Sequence, residues 1–325
     1  MKRQIPSLSS LHSLPLSIQM HSDESGLGFV LRALHENYLT LSWLRRISGI
    51  YPGFYPESRH APQIAILTGL PITTVRHLLP ARIKDRGMIV RHLYGSSFSL
   101  GSFLKGRLPQ VCVRCLHSSR YVRRAWEVSV VTCCPRHGLY LVDQCKNCHK
   151  QITWDRPAID TCVCGRYLSY HQSVDFEPSN SELSVASHVE SFLSPENAYT
   201  RALTPAWLNG LSLDGLCRLI WAFGISDSDN LRPPTKRSTS SINTHFWIHL
   251  LRRFLDRMYL MDQPDSAPFL SNHIYKQALD KMSAIGVQHS DREAAIYILG
   301  KVFGIDQIPK ATGLNSHLSQ KRLFD

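Results

Sequence analysis

The chain has 325 residues, 43% of them hydrophobic, which is enough to bury the cores of two or three domains and excludes a wholly disordered protein. No apolar run reaches the length of a membrane span and no secretory signal is recognisable, so we expect a cytoplasmic protein without a membrane partner. Residues 1–111 contain 13 basic and 5 acidic residues, whereas residues 171–325 contain 15 and 16. The basic first half predicts contact with nucleic acid or with an assembly that contains it.

Apolar residues at helical spacing predict a bundle of short helices in an N-terminal domain, which we place at residues 1–110. Ser22 or Asp23 is a suitable N-cap for the first helix. A second helix is expected over residues 39–47, with Arg45 and Arg46 at its edge. The inward positions of these helices are Leu27, Val30, Leu31, Leu34, Leu41, Leu44 and Ile47.

Residues 63–79 follow the layout of a helix-turn-helix. Ala65 allows two helices to approach closely, Gly69 permits the turn, and Val75 with Leu78 anchors the second helix. The alternative that stays open is an ordinary helical hairpin with a solvated basic face. On the first interpretation the residues that contact nucleic acid or a partner are Thr73, Thr74, Arg76, His77, Arg82, Lys84 and Arg86, with Arg91 beyond them.

Ligand pairs with the spacing of metal sites occupy residues 111–172, in the order C-x2-C-x18-C-x2-H and C-x2-C-x13-C-x-C. A two-residue gap lets one tight turn present both ligands of a pair to a tetrahedral zinc ion. Because eight protein ligands fill two such sites and leave no position for water, we predict two structural Zn²⁺ ions. The predicted ligands are Cys112, Cys115, Cys134, His137, Cys145, Cys148, Cys162 and Cys164.

These cysteines have two alternative interpretations, disulfide partners and buried free thiols. A disulfide framework is typical of small secreted chains, and buried free cysteines are common in protein interiors. Cys133 is a possible substitute for Cys134, but only Cys134 has the two-residue gap to His137. The two sites can be sequential or interleaved, and we favour the sequential pairing, with a strand at residues 139–142 between them.

Residues 173–325 are expected to form an all-α domain with helices near residues 206–223, 245–260, 275–285 and 293–303, and a linker at residues 226–241. Arg252, Arg253 and Arg257 are interpreted as a solvated helix face. The predicted fold class is therefore mainly α. It combines an N-terminal helix-turn-helix bundle, tandem zinc-finger or zinc-ribbon units with short β-hairpins, and a C-terminal all-α domain.

Three stretches of this sequence together resemble the TniQ/TnsD family of transposon target-selection proteins, most closely its short TniQ type. They are SDESGLGFVLR from Ser22, CVRCLHSSRYVRRAW from Cys112, and TCCPRHGLYLVDQCKNC from Thr132 with the closing CVCG from Cys162. Gly26 departs from the family pattern, which has an apolar residue there. Arg123, Arg124 and Trp126 match a family segment to which no role is assigned from the sequence.

The resemblance implies a bacterial, nucleoid-associated protein that is not an enzyme and that marks where a transposon inserts. It implies an adaptor, acting as a homodimer, between an AAA+ transposition ATPase and a target-recognition element. That element is either the RNA-guided Cascade complex of a CRISPR-associated transposon or a DNA site bound directly, as a TnsD-like attachment-site binder would do. Two other classes stay open, a sequence-specific DNA-binding regulator and a metal-dependent nuclease or other enzyme. The second needs an open metal site or clustered carboxylates near it, and Asp143, Asp155 and Asp160 lie nearby but show no such motif.

Overall fold

The computed structural model describes residue 8 and residues 11–51, 54–85, 88–169, 176–194, 202–225, 242–285 and 288–305. Over these residues the protein is mainly α, with eleven α-helices and two small antiparallel sheets, which confirms the predicted fold class. It divides into two compact units, the first of Met1–Asn209 and Arg232–Arg252 and the second of Gly210–Leu231 and Arg253–Asp325. The boundaries proposed at residues 110 and 172 stay predictions, and the expected linker at residues 226–241 lies outside the described residues.

Two amphipathic helices open the first unit, α1 (Gly26–Glu36) and α2 (Leu41–Ser48). The N-cap of α1 is Ser25, whose hydroxyl accepts from the amide of Gly28, so the caps proposed at Ser22 and Asp23 were wrong. The placement of Arg45 at an exposed edge was also wrong. Arg45 is buried, and its two terminal nitrogens donate to Asp155 at 2.5 and 2.9 Å in a bidentate pair.

A helix pair and a three-stranded sheet follow. Helices α3 (Ala61–Thr68) and α4 (Ile72–Leu78) are joined at Gly69, which has a left-handed φ of 72°. The sheet has the antiparallel order β1 (Ala81–Asp85), β2 (Met88–Leu93) and β3 (Ser96–Phe98). The sequence did not predict this sheet. Arg82 pairs with Arg91 across β1 and β2, so the two residues lie side by side.

The rest of the first unit surrounds two clusters of cysteine and histidine side chains. Its elements are α5 (Val113–Ser119), the hairpin of β4 (Cys133–Cys134) and β5 (Leu139–Tyr140), and α6 (Asn180–Leu193). Strand β5 begins where the linking strand was predicted and is two residues long. Ser179 and Glu182 form a capping box at the start of α6, in which each side chain accepts from the other residue's backbone.

The second unit is helical throughout its described residues. Its helices are α7 (Leu213–Gly224), the last part of α8 (Thr244–Leu260), α9 (Ala267–His273), α10 (Lys276–Ile285) and α11 (His289–Phe303). The helix expected over residues 206–223 is divided, because Ser212 caps α7 and a 3₁₀ turn (Ala206–Gly210) precedes it.

The interpretation of Arg252 and Arg257 as a solvated face was wrong. Arg257 is 7% exposed and donates to the backbone carbonyls of Phe223 and His273 in the second unit. Arg252, in the first unit, lies 3.4 Å above the ring of Phe176. Both guanidinium groups therefore stabilise the fold, Arg257 by satisfying carbonyls at helix ends and Arg252 by a cation–π contact.

Candidate metal centres and the motif contacts around them

The first cluster is built by the start of α5 and by the β4–β5 hairpin. Cys112 is the N-cap of α5 and Cys115 lies in its first turn, whereas Cys134 ends β4 and His137 lies in the turn to β5. Gly138 has a φ of 61°, the left-handed conformation that this turn requires. The ligand atoms of the four side chains all lie within 4.8 Å of one another, so this cluster can hold a metal ion.

The spacing of these atoms fits a tetrahedral metal better than a disulfide. His137 Nδ1 lies 3.4, 3.2 and 3.6 Å from the sulfurs of Cys112, Cys115 and Cys134. The Cys115 and Cys134 sulfurs are 3.7 Å apart. A tetrahedron with Zn–S bonds of about 2.3 Å has edges of about 3.8 Å, whereas a disulfide needs about 2.05 Å. The donor set and its geometry are therefore those of a metal site.

The second cluster lies in two successive turns after β5. The sulfur of Cys145 is 3.8 Å from that of Cys164, and the sulfur of Cys148 is 3.7 Å from that of Cys162. These distances again match the edges of a tetrahedron around zinc. Gly165, with a φ of 79°, donates its amide to the carbonyl of Cys162 and closes the second turn. The four ligand atoms form a second possible metal site, so the clusters are sequential and not interleaved.

Strand geometry separates Cys134 from its neighbour Cys133. Successive residues of a strand point to opposite faces, so when Cys134 faces the cluster Cys133 faces away from it. Cys133 is fully buried, and burial raises the pKa of its thiol. Within the cluster, a hydrogen bond with Cys112 is the largest cause that lowers the pKa of Cys115, whereas hydrogen bonds with Cys112 and Cys115 raise that of Cys134. A divalent cation in the cluster would stabilise the sulfurs of Cys112, Cys115 and Cys134 as thiolates.

The three carboxylates near the clusters are engaged in contacts within the fold. Asp155 holds Arg45, and Asp160 lies 3.6 Å from Arg120. One oxygen of Asp143 accepts from the amide and the hydroxyl of Thr244, at 2.5 and 2.9 Å, and lies 3.6 Å from the ammonium group of Lys105. These aspartates therefore anchor α2, the start of α8 and the loops beside the two clusters.

The DES and RRAW motifs, which lie about a hundred residues apart in the sequence, meet in the structure. Asp23 accepts from Arg123 and, at 2.7 Å, from the hydroxyl of Tyr121, while Arg136 lies 3.6 Å away. Arg124 donates its side-chain Nε to the carbonyl of Glu24 at 3.1 Å. Trp126 completes the motif as a fully buried side chain. Arg123 and Arg124 thus hold the RRAW segment against the start of α1, and Arg123 also forms a hydrogen bond with Cys115 of the first cluster, contacts that no local pattern indicates.

Ser25, the last residue of the DES motif, is tied to a buried carboxylate. Its hydroxyl donates to Glu127, which also accepts from the hydroxyl of Tyr94 at 3.0 Å. Burial raises the pKa of Glu127 to about 7, although its hydrogen bonds from Ser25 and Tyr94 act in the opposite direction. The next residue, Gly26, packs closely against the backbone of Leu78. A Cβ at this position would lie 2.1 Å from the carbonyl oxygen of Leu78. Position 26 of this chain therefore has no room for a side chain.

The residues proposed to contact nucleic acid or a partner lie on α4 and the following sheet. Val75 and Leu78 are buried as predicted, and the outward residues Thr73, Thr74, Arg76 and His77 are exposed. Arg82 and Lys84 are exposed on β1, where Arg82 also lies 2.9 Å from Glu57. Arg86 lies outside the described residues. The described side chains of this set are therefore exposed on two neighbouring elements, α4 and β1. Their role in binding stays a prediction.

Residues 15–141 match the TniQ family model, and this range includes the DES and RRAW motifs, the α3–α4 pair and the first cluster. The chain contains a TniQ domain. This confirms the family recognised from the three sequence stretches and fits a transposition-associated protein. The second cluster lies beyond the matched residues of the TniQ domain. Among proteins of curated function, none matches this chain. No helix in the described part of the chain is long and apolar enough to cross a membrane.

Proposed function

We propose that this TniQ-domain protein is a non-enzymatic adaptor for transposition target selection. It links a target-recognition element, which is an RNA-guided Cascade complex or a DNA site, to an AAA+ transposition ATPase. We further propose that it acts as a homodimer and carries two structural Zn²⁺ ions. The observation that carries the proposal is the TniQ domain, in which the DES and RRAW motifs contact each other.

The chemistry of the clusters supports a structural role for the metals. Each cluster offers four protein ligands, and a tetrahedral zinc ion bound by four protein atoms has no position left for a reacting water. Zinc bound there would tie α5 to the β4–β5 hairpin and fold the two turns after β5. A rigid frame of this kind presents partner-binding surfaces at fixed positions.

Direct DNA recognition is the second candidate, and the arrangement of α4 favours it. Four polar side chains, Thr73, Thr74, Arg76 and His77, are exposed on a helix that two buried residues hold against α3. A helix of this kind can enter a DNA major groove, and the basic residues of β1 can contact phosphates. An attachment-site binder or a regulator would use the same surface.

Co-purification separates the two candidates. The tagged full-length protein is expressed with the AAA+ ATPase of its transposon, with and without the guide complex, and retained partners are quantified. Gel shifts on target duplexes at several salt concentrations measure direct DNA binding. An adaptor retains the ATPase and binds naked DNA weakly, whereas an attachment-site binder prefers one duplex and keeps that preference as salt lowers its affinity.

Charge reversal on α4 tests the surface itself. Arg76→Glu is compared with Arg46→Glu, which makes the same change at an exposed position of α2. Loss of partner or DNA binding in the first variant alone assigns the function to α4. Equal losses in both variants would indicate unspecific charge attraction, and failure to retain any ATPase would rule out the adaptor role.

A further inference from the structure

A cleft of about 240 Å³ opens in the first unit beside the three-stranded sheet. Its walls are the loop at residues 54–57, strands β1 and β2, and the segment at residues 101–107. Three arginines line it, Arg82 from β1, Arg91 from β2 and Arg107 from the opposite segment. The metal clusters contribute no residue to its lining, so it is a separate site.

The cleft has more positive charge than its own carboxylates compensate. Its two acidic residues are Glu57 and Glu127. One oxygen of Glu57 lies 2.9 Å from Arg82 and the other 3.4 Å from Arg59. Glu127 accepts from Ser25 and Tyr94 at the bottom of the cleft, and its raised pKa reduces its negative charge at neutral pH. Within the part of the chain that the structure describes, Arg91 and Arg107 form no ion pair with a carboxylate.

Arg91 is the most unusual of the three. Within the described part of the chain its guanidinium makes no hydrogen bond or ion pair, although it is only partly exposed. It packs against Gly101 so closely that a Cβ there would lie 2.6 Å from its Nη2. Burial lowers the pKa of Arg91, and the positive charges of Arg82 and Arg107 lower it further, whereas the negative charge of Glu57 raises it. A partly buried cation without a partner is costly unless an anion binds beside it.

Aromatic side chains lie at the edge of the same cleft. The guanidinium of Arg107 lies over the ring of Phe54 at 5.2 Å from its centroid, and Phe54 is 38% exposed. Tyr55 is the next residue of the lining. Guanidinium groups match the oxygens of a phosphate, and exposed rings stack on nucleobases. The cleft thus combines the two kinds of group that recognise a nucleotide.

We propose that this cleft binds one nucleotide unit, with its phosphate held by Arg91, Arg82 and Arg107 and its base beside Phe54. The concavity admits a single projecting nucleotide, whereas a base-paired duplex is too wide to enter it. A free nucleotide and a nucleotide within a single strand offer this same chemistry. The site rests on the charges and contacts of the cleft and does not depend on the adaptor function proposed above.

Binding is measured by titrating the full-length, metal-loaded protein with AMP, with a 5′-labelled oligothymidylate and with a duplex of equal length. Arg91→Gln removes the unpaired charge, and Arg46→Gln removes an exposed charge on α2 as the matched control. We expect Arg91→Gln to weaken binding at least tenfold and Arg46→Gln to change it less than twofold. Gly101→Ala displaces the Arg91 guanidinium and should weaken binding in the same direction.

The probes distinguish the sources of the nucleotide. Binding of AMP at least as tight as that of the oligothymidylate assigns the cleft to a free nucleotide, and tighter binding of the strand assigns it to single-stranded nucleic acid. Thermal unfolding of each variant confirms that it is folded, and Gly101→Ala provides the test if Arg91→Gln is not. Absence of binding to AMP and to the strand, binding to the duplex alone, or equal losses in the Arg91 and Arg46 variants would overturn the proposal.

Discussion

Arg123 donates a hydrogen bond to Asp23, a residue that precedes it by 100 positions in the chain. Both side chains are less than a tenth exposed, so the pair is buried and its charges depend on each other. We expect Asp23→Ala to lower the free energy of unfolding by about 3–5 kcal/mol, because it leaves the Arg123 guanidinium buried without its carboxylate. Chemical denaturation of the metal-loaded protein measures this change.

The matched control for Asp23 is Glu36→Ala, which removes an exposed acidic side chain at the end of α1. Exposed charges of this kind contribute about 0–1 kcal/mol. Similar losses in the two variants would show that the Asp23–Arg123 pair does not stabilise the TniQ domain.

Glu127 should make the unfolding free energy of the TniQ domain larger at acidic pH than at neutral pH. Burial raises its pKa to about 7 from an ordinary value of 4.5, so between these values the folded chain binds a proton that the unfolded chain has released. The stabilisation from this proton is fully present below pH 4.5 and is lost as the pH rises through 7. We expect the unfolding free energy of the wild type, relative to Glu127→Gln, to fall by roughly 3 kcal/mol between pH 4.5 and 7. Denaturation of both proteins across this range checks it, and parallel pH profiles would contradict it.

The two Cys/His clusters could be predicted from the sequence because each pair of residues is local. A two-residue gap fixes the geometry of one turn. The choice of Cys134 over Cys133 followed from its spacing in the sequence, because only Cys134 has two residues between it and His137. The helix pair was also readable, because Gly69 marks the turn and Val75 and Leu78 mark the buried face. Both features could therefore be predicted from the local spacing of residues.

The arginine contacts could not be predicted, because their partners are distant in sequence. From the spacing on α8 alone, Arg257 is expected at the surface. Its hydrogen bond to the carbonyl of His273, on another helix, is visible only in the structure. The β1–β2 hairpin escaped prediction for another reason. Ile83 is 47% and Ile89 65% exposed, so the hairpin lacks the alternation of buried and exposed residues by which a strand is recognised.

Lys105 gives the opposite pH dependence in a different range. Burial lowers its pKa to about 8 from 10.5, although Asp143 favours the charged form. Between pH 8 and 10.5 the unfolded chain binds the proton that the folded chain has lost, so stability rises with pH across this range. We expect the wild type, relative to Lys105→Met, to gain roughly 3 kcal/mol from pH 8 to 10.5. A difference that stays constant in denaturation experiments would show that Lys105 is not held in this environment.

Replacing Cys134 and Cys133 separately tests the first cluster at adjacent residues. Cys134→Ser removes one of four ligands, and we expect it to reduce the metal content from two ions per chain to one and to destabilise the β4–β5 hairpin. Cys133→Ser makes the same chemical change at a buried position outside the cluster and should keep both ions. Elemental analysis of the purified proteins gives the metal content and the identity of the metal.

Cys145→Ser provides the corresponding test of the second cluster. Because the two sets of ligands are separate, its loss should remove one ion and leave the first cluster loaded, so the double variant Cys134→Ser/Cys145→Ser should contain none. A strong chelator should unfold the region around both clusters in the wild type, since binding and folding of such segments are coupled. Two ions retained in Cys134→Ser, or a loss in Cys133→Ser equal to that in Cys134→Ser, would mean that Cys134 is not the ligand.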